Sequence, residues 1–199
     1  IFILELIGTV AFASSGAMIA IEKKMDIFGV NVLGATTAVG GGIMRDIILG
    51  LTPPGAFSHP VYVLVAALTS TILFVIAYAK PTAFESRVKT DYYDKLMFWC
   101  DTAGLGIFTV VGIQAAVRAV GENVFFFVFI GTLTGVGGGV LRDIMAGETP
   151  YILVKHIYAC AAIAGGIVCV VGRTAFGEAY GTILGLAATV LLRFLAAHF

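Results

Sequence analysis

Charge is scarce in this chain. Asp, Glu, Lys and Arg together make up 12% of its 199 residues, where ordinary soluble domains carry about 25%. Too little polar surface remains to cover a water-soluble globule, which excludes a cytosolic enzyme, a nucleic-acid module and a disordered chain. Charge of one sign is not in excess either: 12 basic residues face 12 acidic ones, so nothing points to an acidic or basic partner. Cysteine is sparse. Cys100, Cys160 and Cys169 form no CxxC pair and no even framework, and all three lie in apolar runs. They read as buried free thiols, with no metal or disulfide implied. HExxH, a Ser-His-Asp arrangement, a Walker loop and a GxGxxG following a strand are all missing. No enzyme chemistry and no cofactor is implied.

What the chain has is apolar length. The apolar set makes up 59% of the residues, and mean hydropathy is +1.02. Seven apolar runs fall at roughly 2–21, 28–49, 60–79, 96–117, 123–146, 152–171 and 179–197. Each is near the ~20 residues with which a helix crosses ~30 Å of hydrocarbon. They show neither the alternation nor the spacing of a β-barrel. The first run lacks a basic leader and a small-residue cleavage site, so it reads as a span and not as a removable signal. Turn signals separate the runs: Glu22-Lys23-Lys24-Met25-Asp26, Thr52-Pro53-Pro54-Gly55 and Lys80-Pro81. The longest connection, 80–95, carries Lys80, Glu85, Arg87, Lys89, Asp91, Asp94 and Lys95 and divides the chain into two halves. The expected fold is an all-α integral membrane protein with seven transmembrane helices.

Lys and Arg set the orientation. Nine of them (Lys23, Lys24, Lys80, Arg87, Lys89, Lys95, Arg142, Lys155, Arg193) fall on one side of such a bundle, against Arg45, Arg118 and Arg173 on the other. The positive-inside rule puts the N-terminus outside and the C-terminus in the cytoplasm.

The chain also repeats itself. Residues 34–53 read GATTAVGGGIMRDIILGLTP and residues 131–150 read GTLTGVGGGVLRDIMAGETP, identical at 12 of 20 positions at an offset of 97. His59 and His156 keep that offset. Upstream, Glu5 matches Asp101, Gly8 Gly104, Phe12 Phe108 and Gly16 Gly112 at an offset of 96. Each copy holds three spans, and an odd number sends the second copy into the membrane the other way. The halves, 1–79 and 96–171, are inverted repeats about an axis in the membrane plane, with 172–199 as a seventh span outside them.

The repeated motif carries the candidate function. Gly40-Gly41-Gly42 and Gly137-Gly138-Gly139 fall near the middle of spans two and five. Each interior glycine costs a helix roughly 1 kcal/mol relative to alanine. Three in a row are expected to break or kink the helix at the midplane, as in a permeation or substrate site. The other reading is that they let helices pack closely; two symmetric triplets, each followed by Arg-Asp, favour the break. Thr37, Gly41 and Arg45 stand at i, i+4 and i+8, as do Thr134, Gly138 and Arg142. Each set makes one helix face. The hydroxyls are expected to line an ion pathway, unless they bond back to the preceding turn.

Arg45 and Arg142 sit just inside their spans, facing the bundle interior or snorkelling to the interface. Asp46 and Asp143, about 100° round the helix, are poor partners for their own neighbours. Glu5 and Asp101 lie at matching depths, so Glu5–Arg45 and Asp101–Arg142 are the expected pairs, one at each mouth. Movement of such a charge, at ~2.3 kcal/mol per 100 mV, is a candidate gating step. His59 and the Lys155-His156 pair read as interfacial anchors.

Two copies of a three-span unit with GGGxxRD, followed by a seventh span, resemble the trimeric intracellular cation (TRIC) channel family over essentially all of the chain. The likeness is to its prokaryotic branch, also described as glycine-transporter-domain membrane proteins. The resemblance implies a homotrimer in a prokaryotic inner membrane, with one pore per protomer formed by the kinked helices. It also implies K⁺ and Na⁺ as permeant ions, lipid as surroundings and no nucleic-acid partner. Animal members carry Lys-Glu before the first glycine run; Ala38-Val39 stand there in this chain, so block by that Lys does not carry over. The second function weighed is a secondary transporter for glycine or another small amino acid, which inverted repeats serve equally well.

Overall fold

A computed structural model describes residues 1–79, 91–121, 123–154 and 157–198. Among these residues there are nine helices and no strand: α1 (Phe2–Glu22), α2 (Ile27–Ile48), α3 (Gly55–Ser58), α4 (Val61–Ala79), α5 (Asp91–Ala119), α6 (Val124–Met145), α7 (Tyr151–Val154), α8 (Tyr158–Phe176) and α9 (Glu178–His198). Seven of them are long and apolar enough to cross a membrane. The protein is an all-α integral membrane protein of seven spans.

Matching positions build matching helix ends in the two halves. Asp26 caps α2 by accepting from Gly29 N at 2.7 Å, and Asn123 caps α6 by accepting from Phe126 N at 3.0 Å. Both satisfy amides that the first turn leaves open. Gly50 and Gly147 follow the C-terminal ends at φ 71° and 72°, a left-handed conformation that a side chain disfavours.

Two boundaries differ from expectation. Of the expected linker 80–95, residues 80–90, with Lys80, Glu85, Arg87 and Lys89, lie outside the described residues, and 91–95 already belong to α5. The sixth span runs over Tyr158–Phe176, not 152–171, because Tyr151–Val154 form the separate short helix α7. In the first half Pro53, Pro54 and Pro60 announce the equivalent short helix, α3; the second half has Ile157 in place of Pro60, so the same break carries no proline signal. Lys155 and His156 lie outside the described residues.

The halves run in opposite directions where they meet. Gly8 lies beside Phe108 and Gly104 beside Phe12, and Tyr93 Oη donates to Met18 O at 2.8 Å. As positions rise in α1 they fall in α5, so the two helices are antiparallel. The same holds for α2 and α6, where Gly40 meets Leu141 and Gly137 meets Met44. Phe12, Ala13, Ala38, Ala66 and Phe108 form the central apolar cluster. The seventh span, α9, packs on α8 through small residues: a Cβ on Gly172 would stand 3.1 Å from Gly181 Cα, and one on Gly185 2.9 Å from Gly165 O. Close approach of this kind is how helices associate in lipid. Leu64, Leu68 and Ile72 on α4, and Ile183 and Leu191 on α9, are exposed, as an apolar solvent requires. Cys169 is buried and Cys100 half-buried, but Cys160 is exposed. This corrects the expectation of three buried thiols: an apolar run in a membrane helix has a lipid face as well as a core face.

Candidate functional site: two charge-bordered cavities on either side of a glycine crossing

The glycine triplets do not break their helices. Both α2 and α6 are continuous α-helix through Gly40–Gly42 and Gly137–Gly139. The glycines bring two backbones together instead. A Cβ on Gly41 would overlap the carbonyl oxygen of Thr134, and one on Gly138 would overlap that of Thr37. The cost of glycine in a helix is offset by packing that no larger residue allows.

Thr37 and Thr134 belong to the same contact. Both are buried, and their hydroxyls donate to Leu33 O and Ile130 O at 2.6 Å. Each fills a notch at a glycine of the preceding span, Gly16 for Thr37 and Gly112 for Thr134. They bond back to their own helices and do not present oxygens to a passage. Of the eight residues expected along an ion pathway, Gly42 borders a cavity, and Gly139 lies beside Tyr158, Arg142 and Asp101.

The Arg-Asp pairs form one device, used twice. Arg45 Nε meets Asp46 Oδ1 at 2.8 Å while Asp46 Oδ2 accepts from Gly55 N at 2.7 Å. Arg142 Nε meets Asp143 Oδ1 at 2.8 Å while Asp143 Oδ2 accepts from Tyr151 N at 2.7 Å. This corrects the expectation that neighbours on the helix are poor partners. Each aspartate is held by the start of the next short helix, and the long arginine folds back onto its free oxygen as a charge-assisted bond.

The two expected ion pairs part company. Asp101 Oδ1 and Arg142 Nη1 meet at 2.8 Å, and Arg142 also donates to Ser15 Oγ. Arg142 is 2% exposed. Glu5, in contrast, does not pair with Arg45: its Oε2 accepts from Tyr62 Oη at 2.5 Å, and Arg45 pairs with Asp46. The repeat is imperfect at the residue that matters, since the position matching Ser15 is Val111, an apolar side chain.

These groups line two cavities. The first, of about 300 Å³, is bordered by Glu5, Thr9, Gly42, Arg45, His59, Tyr62, Phe108 and Arg118. The second, of about 340 Å³, is bordered by Asp94, Met97, Phe98, Asp101, Arg142, Tyr151 and Arg193. Because α1 and α5 are antiparallel, Glu5 and Asp101 lie toward opposite ends of the bundle. Between them the rings of Phe12 and Phe108 pack against each other, centroids 5.3 Å apart and tilted by 31°. At the second cavity's end Lys23 Nζ and Glu148 Oε1 meet at 2.6 Å and join the two halves. The hydrogen bond to that carboxylate holds the Lys23 pKa above its usual value.

Tyr62, Tyr158 and Arg193 escaped the reading of the sequence. The tyrosines had a signal: they recur at an offset of 96, as Glu5 and Asp101 do. Arg193 had none beyond its charge, because α9 has no counterpart in the repeat.

The family described as Glycine transporter matches twice, over residues 2–78 and 98–174, one match for each three-span unit. The UPF0126 inner membrane protein YadS of Escherichia coli (strain K12) is 36% identical over 198 residues, covering 98% of this chain and 91% of YadS. A structure solved for the basis of conductance through TRIC cation channels superposes with a TM-score of 0.83 at 36% identity, over 100% of this chain and 93% of that one. The TRIC orthologue from Rhodobacter sphaeroides superposes with a TM-score of 0.86 at 34% identity, over 98% and 95%. The chain belongs to the UPF0126 membrane proteins, the prokaryotic branch of the trimeric intracellular cation (TRIC) channel family, with the glycine-transporter unit present as two inverted copies.

Proposed function

We propose that this protein is a passive channel for monovalent cations, K⁺ and Na⁺, with one pathway in each protomer. The path runs from the cavity at Glu5 and Tyr62, past the Phe12–Phe108 rings, to the cavity at Asp101 and Arg142. One observation carries the reading: two cavities bordered by charged side chains at opposite ends of the bundle, each with a carboxylate at the same repeat position, with the tilted Phe12–Phe108 ring pair between them. Carboxylates and tyrosine oxygens suit partly dehydrated cations, and an apolar constriction gates by shedding water. Kinship to proteins described as TRIC cation channels supports the same conclusion. The pathway lies between α1, α2, α5 and α6 and needs no break in α2 or α6. In this reading the protein sits in a prokaryotic inner membrane as a homotrimer, with the N-terminus outside.

Purified protein in planar bilayers tests this. The expected result is unitary currents whose reversal follows the K⁺ equilibrium potential. The family description favours a second reading, transport of glycine. Silent bilayers together with saturable, gradient-coupled glycine uptake into vesicles would establish that reading in place of the channel.

A further inference from the structure

The inverted repeat sets up a comparison between the two cavities. Glu5 and Tyr62 in the first correspond to Asp101 and Tyr158 in the second. In the first, the carboxylate bonds to the tyrosine hydroxyl and faces the cavity. The arginines there are turned to other carboxylates: Arg45 to Asp46 at 2.8 Å and Arg118 to Glu178 at 3.5 Å. In the second cavity a guanidinium from outside the repeat stands at the carboxylate. Arg193 of α9 is 4% exposed, and its Nη2 lies 3.7 Å from Asp101 Oδ2. Its Cζ lies 4.6 Å from the centre of the Tyr158 ring and 4.8 Å from that of Phe98. A carboxylate flanked by aromatic faces is a site for a cation.

The two arginines at Asp101 are held differently. Arg142 is bonded to Asp101, Asp143 and Ser15. Arg193 has one ion pair, about 1 Å longer, and its buried Nε has no hydrogen-bond partner among the described residues. An arginine serving only to join helices has its donors matched. Arg142 divides its single charge between Asp101 and Asp143, so Arg193 supplies the second positive charge at this cluster, the one a free cation would replace.

We propose that Arg193 is a tethered blocking cation: its guanidinium occupies the site beside Asp101 that a permeant monovalent cation takes in transit. The inference rests on the channel reading for its meaning, but the cation site itself can be tested without current. A permeant ion meets an accessible carboxylate at Glu5 and an occupied one at Asp101. Conduction then requires the side chain of Arg193 to leave the site, while α9 stays anchored along α8 by its glycines. The seventh helix therefore adds a further inequality between two half-channels that the repeat makes similar.

Two measurements on the full-length protein test this. In vesicles, Arg193→Gln and Arg193→Met are expected to raise ⁸⁶Rb⁺ flux several-fold, and Arg193→Lys, which keeps a tethered cation but loses the planar stacking, to stay near wild type. Added guanidinium is expected to bring the flux of Arg193→Gln back toward wild type. Where the wild type conducts, flux that is unchanged or lower in Gln and Met variants with wild-type elution and melting profiles overturns the proposal; so does equal flux in the Lys and Gln variants. Crystals of Arg193→Gln in RbCl are expected to show an anomalous peak beside Asp101 that wild-type crystals lack. If no variant conducts but the peak is present, the channel reading fails and the cation site stands. If the peak is absent, the cation site is wrong whatever the currents do.

Discussion

The backbones of Gly41 and Gly138 touch: a Cβ on Gly41 would stand 3.2 Å from Gly138 N and overlap the carbonyl of Thr134. Neither neighbour is a flexible side-chain tip, so the helices would have to separate. Gly41→Ala and Gly138→Ala are expected to destabilise the protein by about 1–3 kcal/mol, the usual cost of overpacking. Gly42→Ala is the control, because its nearest contact is Arg45 Nη2 at an ordinary 3.8 Å. Thermal unfolding in detergent should show two lowered midpoints and one unchanged or raised.

Arg142 and Arg45 occupy equivalent positions, yet substitution should affect them unequally. Arg142→Gln leaves Asp101 and Asp143 buried without their principal cation, and breaking a buried pair costs about 3–5 kcal/mol. Arg45 has one ion pair among the described residues and borders a cavity, and Asp46 keeps its bond to Gly55 when the arginine is gone. Arg45→Gln should melt closer to wild type. Adding Asp101→Asn to Arg142→Gln should restore part of the loss, since the orphaned charge is then removed.

The Phe12–Phe108 pair sits between the cavities, and Phe108 also borders the first. Phe108→Ala is expected to raise resting ⁸⁶Rb⁺ flux by removing the apolar constriction, whereas Phe108→Leu should keep it closed. Equal flux in wild type and Phe108→Ala, with folded protein in both, would take the rings out of the pathway.

Orientation is open to a direct check. Fluorescent protein joined after Phe199 should fluoresce in intact cells, while alkaline phosphatase at the same point should be inactive. The reverse pattern would mean that the count of Lys and Arg misreads this bundle and that the Glu5 cavity faces the cytoplasm.

Much of this architecture was legible before any coordinates. Seven runs of near-membrane length and a 97-residue repeat with an odd number of spans are enough to require inverted halves, because both follow from bilayer thickness and chain direction alone. The Asp101–Arg142 pair was legible for the same reason: matching depth in adjacent spans left few other partners. The Glu5–Arg45 pair had the same logic and failed, because Asp46 and Tyr62 compete for those groups and depth says nothing about rotamers.

The amino-acid pattern by itself determined the spans, the inversion and the twin GGGxxRD motifs, since hydrophobic length and repetition are properties of the chain. Only the tertiary structure decided what the glycines do. A bare backbone position suits a broken helix and a tight crossing equally well until a second helix is seen lying against it, and Gly41 meets Gly138. Nor does any local pattern reveal that Arg193 reaches Asp101, for those residues lie on helices brought together by packing on α8 and not by any regularity along the sequence.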